Sequence, residues 1–378
     1  MLRQVLGALP VPGDPRLLAG FDKAEDAAVF RLDEDRAVVV TIDVITPLVD
    51  DPFLFGEIAA ANALSDVYAM GGEPLFSLSF LGVPRGFPDE ATVAIVKGGA
   101  SLATASGAPI VGGHSVESKD LMFGLAAVGL ASPHRLFRND ALAVGDQLLL
   151  TKPLGTGVLT TALKNDALTE GDLAEAIAGM RQTNRAAVAP CHALGVRAAT
   201  DVTGFGLIGH AAEMASASSV RVVIDSASVP AYPQAREMLV KGHVTRADRT
   251  NLEYARELGP LEGAPEPLLM DPQTSGGLLV AVAAQGSEEL VGALRKAGFP
   301  RHPPSRSGAR GRWSPGRLAG PPPRRSGGAC LSWGESVPVA SKHLLTSPRR
   351  GAGFPIRVGE SARSTPTAGL AFPLHDCP

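Results

Sequence analysis

The stretch Ala199–Met214, which reads ATDVTGFGLIGHAAEM, decides the fold class. Asp201 closes a short β-rich run, Gly204 and Gly206 predict a flexible turn, and Leu207 begins a helical pattern. A strand, a glycine-rich loop and a helix N-terminus in this order favour anion binding, because free backbone N–H groups point at the ligand. Asp201 is therefore placed to hold a metal beside a phosphate, with helix N-capping as the alternative role.

The same alternation of β-rich runs and alanine-rich helical stretches extends on both sides, from Ala27 to about Ala297. Such a pattern predicts a mixed α/β or α+β enzyme. In LLLTKPLGTG, a strand predicted from Gln147 to Thr151 ends in a proline and two glycines. We therefore expect two domains, residues 1–150 and residues 151–298.

Composition restricts the location and the class of protein. The 378 residues are 45% hydrophobic and 19% charged, which is ordinary for a globular chain. No apolar run approaches the roughly 20 residues that span a bilayer, and the N-terminus lacks the apolar core of a signal peptide. Three dispersed cysteines are too few for a disulfide framework. We expect a cytoplasmic protein that does not contact membranes.

The charge is unevenly distributed along the chain. After Phe299 the chain contains twelve Arg and Lys residues and three acids, so the segment 299–378 carries a net charge of +9 and the preceding body one of −12. An acidic body argues against nucleic acid as the main partner. The segment itself is rich in Pro, Arg, Gly and Ser, and predicts a disordered basic tail. A frame-shifted translation explains such a tail best; a genuine basic linker, or nucleic-acid binding through its arginines, is the alternative.

Separate carboxylates lie at the ends of predicted strands. Asp26 comes directly before one strand, and Asp43 lies in the next, followed by Asp50 and Asp51, which a solvated turn also explains. A helix predicted from Glu57 to Met70 places Asn62 and Asp66 on one face. Mg²⁺ takes one or two carboxylates per ion and fills its other positions with phosphate and water. Scattered aspartates therefore suit a metal-bridged triphosphate.

Two glycine-rich polar motifs complete the candidate site. In PIVGGHSVE we expect a turn at Gly113, His114 and Ser115 whose backbone approaches an anion, whereas the ring of His114 is more typical of a solvated residue. In MDPQTSGGLLVAV a polar cluster precedes a strand that is expected to be buried. No P-loop motif occurs in the body, and a distributed carboxylate site is another way to bind phosphate.

Together, these motifs resemble those of the selenophosphate synthetases, also called selenide, water dikinases. The shared strings occur in the family's order between about Leu2 and Gly298: EDAAVF, TIDVITPLVDDPFLFG, NALSDVYAMGG, VGGHS, TKPLGTGVLTTALK, TDVTGFGLIGH and DPQTSGGLL. The resemblance implies selenophosphate synthesis from selenide, ATP and water, with release of AMP and phosphate. It also implies an aminoimidazole ribonucleotide synthetase-like α+β fold of two domains, whose N-terminal sheet forms a barrel across a homodimer.

The resemblance carries over to individual residues. It implies that Mg²⁺ is held by Asp26, Asp66 and Asp201. It implies nucleotide contacts from Asp43, Asp66, Gly113, His114 and Ser115. The family's phosphate-cradling stretch corresponds to Lys23, Ala24 and Glu25, whose residue types differ from those common in the family.

The sequence departs from the family at both ends. A reactive cysteine or selenocysteine and a nearby lysine precede the region that matches here, so we assign no catalytic residue and expect weak or no activity; a misplaced start codon or a decayed gene would explain this. Cys191 is expected to be a small core residue. A closing strand after Ala297 is expected to be replaced by the tail. The alternatives are an inactive Mg-ATP-binding homodimer, or a related enzyme such as aminoimidazole ribonucleotide synthetase, thiamine-phosphate kinase or a hydrogenase maturation factor.

Overall fold

A computed structural model describes residues 13–299 and the backbone of residues 308–312 and 328–331. The N-terminal half contains six strands and two long helices. In chain order these are β1 (Leu17–Ala19), β2 (Ala28–Arg31), β3 (Ala37–Ile45), α1 (Pro52–Ala69), β4 (Glu73–Val83), α2 (Asp89–Ala105), β5 (Ile110–Glu117) and β6 (Met122–Ala131). The strands form one sheet in the order β1-β2-β3-β6-β4-β5, in which β4 and β5 are parallel and the other neighbours antiparallel.

Helix α1 lies between this sheet and the second half of the chain. It begins five residues before the predicted Glu57, because the Asp51 side chain accepts hydrogen bonds from the N–H groups of Phe53 and Leu54 and Pro52 occupies the first helical position. Gly71, with a φ of 74°, ends the helix as predicted. Every residue from Phe55 to Gly72 is buried. The alanine-rich composition therefore serves packing on all sides of the helix.

Glycines bring α1 and α2 into close contact. A Cβ built on Gly98 of α2 would lie 2.0 Å from the carbonyl oxygen of Phe53, and one on Gly56 would lie 2.0 Å from that of Ile95. Real Cβ atoms do not approach backbone this closely, so both positions require glycine. The two helices thus pack backbone to backbone above the sheet.

The C-terminal half is built on a second, mixed set of elements. In chain order these are β7 (Gln147–Leu150), α3 (Thr156–Lys164), α4 (Ala174–Arg181), α5 (Arg185–Ala193), β8 (Ala198–Asp201), α6 (Gly206–Ser218), β9 (Val220–Asp225), α7 (Ala235–Val240), α8 (Ala247–Leu258), β10 (Leu261–Glu262), β11 (Leu278–Val282) and α9 (Ser287–Lys296). Strand β11 is wholly buried, as expected, and pairs antiparallel with β7 on one side and β8 on the other. The α+β class predicted from sequence is confirmed.

Two short strands from the segment after Phe299 join this sheet. β12 (Gly308–Arg312) pairs with β9 and β7, and β13 (Gly328–Leu331) pairs with β9 and β10, giving the order β10-β13-β9-β12-β7-β11-β8. The expectation that the tail supplies no strand is therefore wrong for these nine residues, because ladder hydrogen bonds need backbone groups rather than apolar side chains. The remainder of the predicted disordered tail lies outside the described residues.

The predicted turn at Gly113, His114 and Ser115 is also wrong. These residues lie within β5, the edge strand beside β4. The β-branched residues Ile110, Val111 and Val116 favour an extended backbone, and Gly113 permits close pairing: a Cβ there would lie 2.2 Å from the Ser79 carbonyl oxygen. The glycines therefore serve strand pairing at this point.

Candidate active site

The first part of the site lies between α1 and strand β3. Asn62 and Asp66 occupy one helix face, as predicted, and each meets a residue on the same face of β3. Asn62 Nδ2 donates to Asp43 Oδ2 at 2.7 Å, and Thr41 Oγ1 donates to Asp66 Oδ2 at 2.5 Å. Two strand residues that are two positions apart thus pair with two helix residues that are four positions apart. This fits the repeat of side-chain direction, which is two residues in a strand and about 3.6 in a helix. The sequence alone does not indicate a role for Thr41, because a threonine in a strand normally signals only β-propensity.

The second part of the site comes from the C-terminal half. Thr200 Oγ1 donates a 2.7 Å hydrogen bond to Asp26 Oδ1, which ties β8 to the entry of β2. Asp201 ends β8, is 2% exposed, and is hydrogen-bonded by the Ser65 side chain of α1. Asn184 Nδ2 in turn donates to Ser65 Oγ at 2.9 Å. Residues from both halves therefore surround Asp201.

The acids influence one another's protonation. Burial, followed by repulsion from Asp201, raises the pKa of Asp26 and Asp66 well above the usual value, and raises that of Asp43 to about 7. Burial also raises the pKa of Asp201, although hydrogen bonding from Ser65 opposes this. Because Asp201 raises the pKa of the other three acids by repulsion, the four carboxylates lie close together. The structure thus brings Asp26, Asp43, Asp66 and Asp201 to one place, as the sequence predicted, while their roles remain predictions.

Unpartnered oxygens indicate what this cluster is suited to hold. Asp26 Oδ2 and Asp201 Oδ2 are buried and make no hydrogen bond to any residue that the structure describes. Within residues 13–299, no group of three or more His, Cys, Asp or Glu side chains could hold a metal ion by itself. Mg²⁺ needs only one or two carboxylates when phosphate and water complete its coordination. The residues therefore fit a cation that arrives with a polyphosphate rather than a closed protein cage.

Lys23 and Glu25 are engaged with the loop that follows β6. Lys23 Nζ lies 2.5 Å from Asp140 Oδ2, and the Glu25 carboxylate accepts a 3.1 Å hydrogen bond from the N–H of Asn139. The side chain of Asn139 donates to the Ala24 carbonyl at 2.6 Å. Burial raises the pKa of Glu25 to about 7. These contacts order residues 23–25 directly before Asp26, and their predicted phosphate contacts stay predictions.

The predicted nucleotide residues on β5 lie across the sheet from the acids. Asp43, Leu125, Ser79 and Gly113 form one lateral row through β3, β6, β4 and β5. Three strand spacings separate the ends of the row, about 14 Å at the usual spacing. His114 and Ser115 are exposed on the edge strand. They do not join the acidic cluster within one chain.

The polar motif Asp271–Gly277, which we call the DPQTSGG loop, caps helix α3. Gln273 Oε1 accepts hydrogen bonds from the N–H groups of Gly155 and Thr156 at 2.9 and 3.1 Å, and Asp271 Oδ2 accepts one from Gly157 at 3.2 Å. The glycine-rich TKPLGTG segment resembles an anion-binding loop, but side chains already satisfy its N–H groups. Burial raises the pKa of Asp271 to about 7.

Lys152 is a buried residue that sequence reasoning missed. It is 1% exposed, and its Nζ donates to the carbonyl oxygens of Gln182 at 2.5 Å and Ser275 at 2.8 Å. Burial lowers its pKa to about 7, although Asp201 opposes this change. A lysine is among the residues least often fully buried, so its burial could not have been read from the sequence.

Behind Asp201, a polar relay holds the glycine-rich loop of the opening motif. The N–H of Thr203 donates to His210 Nε2 at 3.1 Å. His210 Nδ1 lies 3.1 Å from Glu213 Oε2, and Tyr254 Oη donates to the other oxygen of Glu213 at 2.6 Å. Burial works against the imidazolium, but the neighbouring Glu213 raises the pKa of His210 above its usual value. Cys191 is buried in the core, as expected, and burial raises its pKa to about 12.

Comparisons with known proteins agree with this architecture. Residues 24–131 match the family "AIR synthase related protein, N-terminal domain", and residues 143–302 match its C-terminal domain. A thiamine-monophosphate kinase from Stenotrophomonas maltophilia superposes with a TM-score of 0.58 at 23% identity, over 79% of this chain and 90% of that one. The hydrogenase maturation protein HypE in complex with ATP superposes with a TM-score of 0.57 at 19% identity, over 79% of this chain and 82% of that one. At these identities the likeness concerns the fold.

Sequence relatives are much closer. The selenide, water dikinase of Paraburkholderia xenovorans is 43% identical over 295 residues, 77% of this chain and 83% of the relative. The selenide, water dikinase of Bdellovibrio bacteriovorus is 43% identical, and the match covers 78% of this chain and 86% of the relative. That of Clostridioides difficile is 42% identical, and the match covers 77% of this chain and 85% of the relative. In the part of the chain that the structure describes, no helix has the length and apolarity to cross a membrane.

A two-domain α+β fold with acids gathered where its halves meet defines an AIR synthase-related protein. Within that class, the sequence identity to the selenide, water dikinases and the share of their length that the match covers assign the chain to a family. The chain belongs to the selenide, water dikinase family.

Proposed function

We propose that this protein synthesises selenophosphate from selenide, ATP and water, with release of AMP and phosphate, for selenocysteine or selenouridine biosynthesis. The proposal rests on 43% identity to a selenide, water dikinase across 83% of that relative. The observation in the molecule that carries it is the cluster of Asp26, Asp43, Asp66 and Asp201. Burial raises the pKa of all four, and repulsion from Asp201 raises the pKa of the other three further. Such a cluster requires positive charge, and Mg²⁺ ions that bind together with the triphosphate would supply it.

Each side chain has a distinct part in this proposal. Asp26 and Asp201 would hold Mg²⁺ through their unpartnered oxygens, with Asp66 as a third ligand. Bound Mg²⁺ would offset the negative charge of the triphosphate during phosphoryl transfer. Asp43, kept in place by Asn62, would contact the nucleotide. Thr41 and Thr200 orient the carboxylates of Asp66 and Asp26, so the geometry of the acids exists before the substrate binds.

A homodimer in which two N-terminal sheets form a barrel belongs to the same proposal, as does a cytoplasmic location. The sheet face opposite α1 supports it, because this face exposes large apolar side chains from three strands: Val40, Ile42, Phe76, Leu78, Val111 and Val116. Such a face, next to the edge of β5 that pairs with no other described strand, is typical of a protein interface. A second copy of the sheet would cover both.

The decisive experiment is an anaerobic assay of the purified chain with ATP, Mg²⁺ and selenide, followed by phosphorus NMR and chromatography of nucleotides. We expect selenophosphate and AMP in equal amounts, with AMP formation dependent on selenide. The Asp66→Asn variant serves as the inactive control. ADP as the final nucleotide, AMP formation without selenide, or the absence of turnover that an inactive Mg-ATP-binding homodimer would show, would contradict the proposal.

A further inference from the structure

The DPQTSGG loop does more than cap a helix, because it also contacts the surroundings of two proposed site residues. The N–H of Ser275 donates to Asn62 Oδ1 at 2.8 Å, and the same Asn62 donates to Asp43. The N–H of Gln273 donates to the carbonyl oxygen of Thr203 at 2.9 Å, two residues after Asp201. One loop of the C-terminal half therefore touches the support of Asp43 and the segment beside Asp201.

Ser275 adopts a strained backbone conformation in this loop. Its φ is 49°, in the left-handed region that a residue with a Cβ adopts only at a cost of roughly 1 kcal/mol. This conformation directs its N–H to Asn62 and its carbonyl oxygen to Lys152. Because such strain persists only where surrounding contacts impose it, something must hold Ser275 in place.

Lys152 is placed to hold it. Nζ bonds the carbonyl oxygens of Ser275 and Gln182, which fixes the loop to the segment that leads into Asn184. The backbones are in close contact here: a Cβ on Gly277 would lie 2.3 Å from the backbone nitrogen of Lys152. The adjacent Thr151 Oγ1 accepts the N–H of Leu278 at 2.8 Å, so the lysine enters the loop from a fixed position.

We propose that Lys152 is a positioning residue of the nucleotide site, which acts through Ser275 and Asn62 on the orientation of Asp43. A buried ammonium group that bonds two carbonyl oxygens fixes the left-handed conformation of Ser275. That conformation fixes the hydrogen bond that Asn62 accepts, and the other end of the same amide holds the Asp43 carboxylate. The inference rests on the proposed nucleotide contact of Asp43, because without it the chain of bonds would end at a structural carboxylate.

The test compares two lysine variants by calorimetric titration with Mg²⁺ and a non-hydrolysable ATP analogue, at a temperature where both are folded. Lys152→Met keeps the aliphatic stem and removes the donors, and Lys164→Met removes an exposed lysine at the end of α3. Lys152→Met is expected to weaken binding about 10- to 100-fold, the usual cost of losing an outer-layer partner. Lys164→Met is expected to bind as the unsubstituted chain does. Lys152→Met with unchanged affinity would overturn the inference.

A second measurement needs no variant and stays informative if Lys152→Met does not fold. Amide hydrogen exchange of the unsubstituted chain is followed with and without the Mg²⁺–analogue complex. We expect slower exchange at Ser275 when the nucleotide is bound, because Asn62 then becomes fixed from the Asp43 side. Nucleotide binding without any change at Ser275 would refute the inference alone. Failure of the unsubstituted chain to bind nucleotide would refute the proposed function and, with it, this inference.

Discussion

Thr200 Oγ1 lies 2.7 Å from Asp26 Oδ1, so a residue of the C-terminal sheet holds an acid that is 174 positions earlier in the chain. Thr200→Val keeps the shape of the side chain and leaves that carboxylate oxygen without its donor. We expect a loss of about 1–3 kcal/mol in the free energy of unfolding, the cost of an unsatisfied buried polar group. Urea unfolding measures it. Thr250→Val, on the exposed side of α8, is the control, and equal losses in both variants would contradict the assignment.

Asp66→Asn should separate binding from stability. The substitution removes one of four mutually repelling acids, so the metal-free protein at pH 8 should be as stable as the unsubstituted chain or more stable. Stabilisation by Mg²⁺ and an ATP analogue should disappear; in the unsubstituted chain it amounts to about 2.7 kcal/mol at a hundredfold excess over Kd. Thermal unfolding with and without the ligand measures both. Asp120→Asn, at an exposed site, should retain the ligand effect.

Asp271 predicts a pH dependence of a definite sign. Burial raises its pKa from 3.8 to about 7, so the folded protein holds a proton that the unfolded chain releases between these values. The free energy of unfolding must therefore fall as pH rises from about 4 to 7, by roughly 2–4 kcal/mol for this group. Asp271→Asn should flatten that decline in urea unfolding at pH 5 and pH 8. The acids of the site supply a remaining slope of the same sign; an unchanged slope would refute the assignment.

Much of the site was predictable because aspartates at strand ends and an Asn62–Asp66 pair on one helix face are local patterns. The residues that hold these side chains in position could not be predicted. Thr41, Thr200 and Lys152 act through contacts between distant segments, and their residue types carry no local signal for such contacts. The sequence predicts a turn at Gly113 for a related reason: this glycine is needed for close pairing with Ser79 on the neighbouring strand β4, and the local sequence does not show that contact.

Glycines at the α1–α2 contact should tolerate no side chain. Gly98→Ala would place a Cβ 2.0 Å from the Phe53 carbonyl oxygen and force the helices apart. We expect a loss of at least about 2 kcal/mol in the free energy of unfolding, as for overpacked cores. Gly292→Ala in α9, where a Cβ meets no atom of the described residues within 4 Å, should instead stabilise by about 0.5–1 kcal/mol. Opposite signs in urea unfolding confirm the packing, and equal signs would contradict it.

The apolar sheet face predicts an oligomeric state that one substitution should change. Ile42→Lys places a charge at the centre of that face, on the side of β3 opposite Asp43. We expect a dimer for the unsubstituted chain and a monomer for this variant in sedimentation velocity. Val240→Lys changes a residue of the C-terminal half that is more exposed than Ile42, and it should leave the dimer intact. A monomeric unsubstituted chain would refute the dimer.

The overall class followed from the order of elements, but the boundaries followed from capping chemistry. Helix α1 starts at Pro52 because Asp51 caps it, although a solvated turn explained the same residues equally well from sequence. The sequence does not predict the two strands after Phe299, because GARGR and GACL lack any alternation of apolar and polar residues. Their pairing depends on the open edges that β7, β9 and β10 offer.

Burial of α1 on every side has a consequence for how the protein can evolve. A helix with a solvent face can drift at half of its positions, whereas each residue from Phe55 to Gly72 has a neighbour that constrains its size. Change at one of these positions requires a compensating change in the sheet, in α2 or in the second half of the chain. This segment should therefore mutate in pairs, and its history should be recorded as correlated substitutions rather than as independent ones.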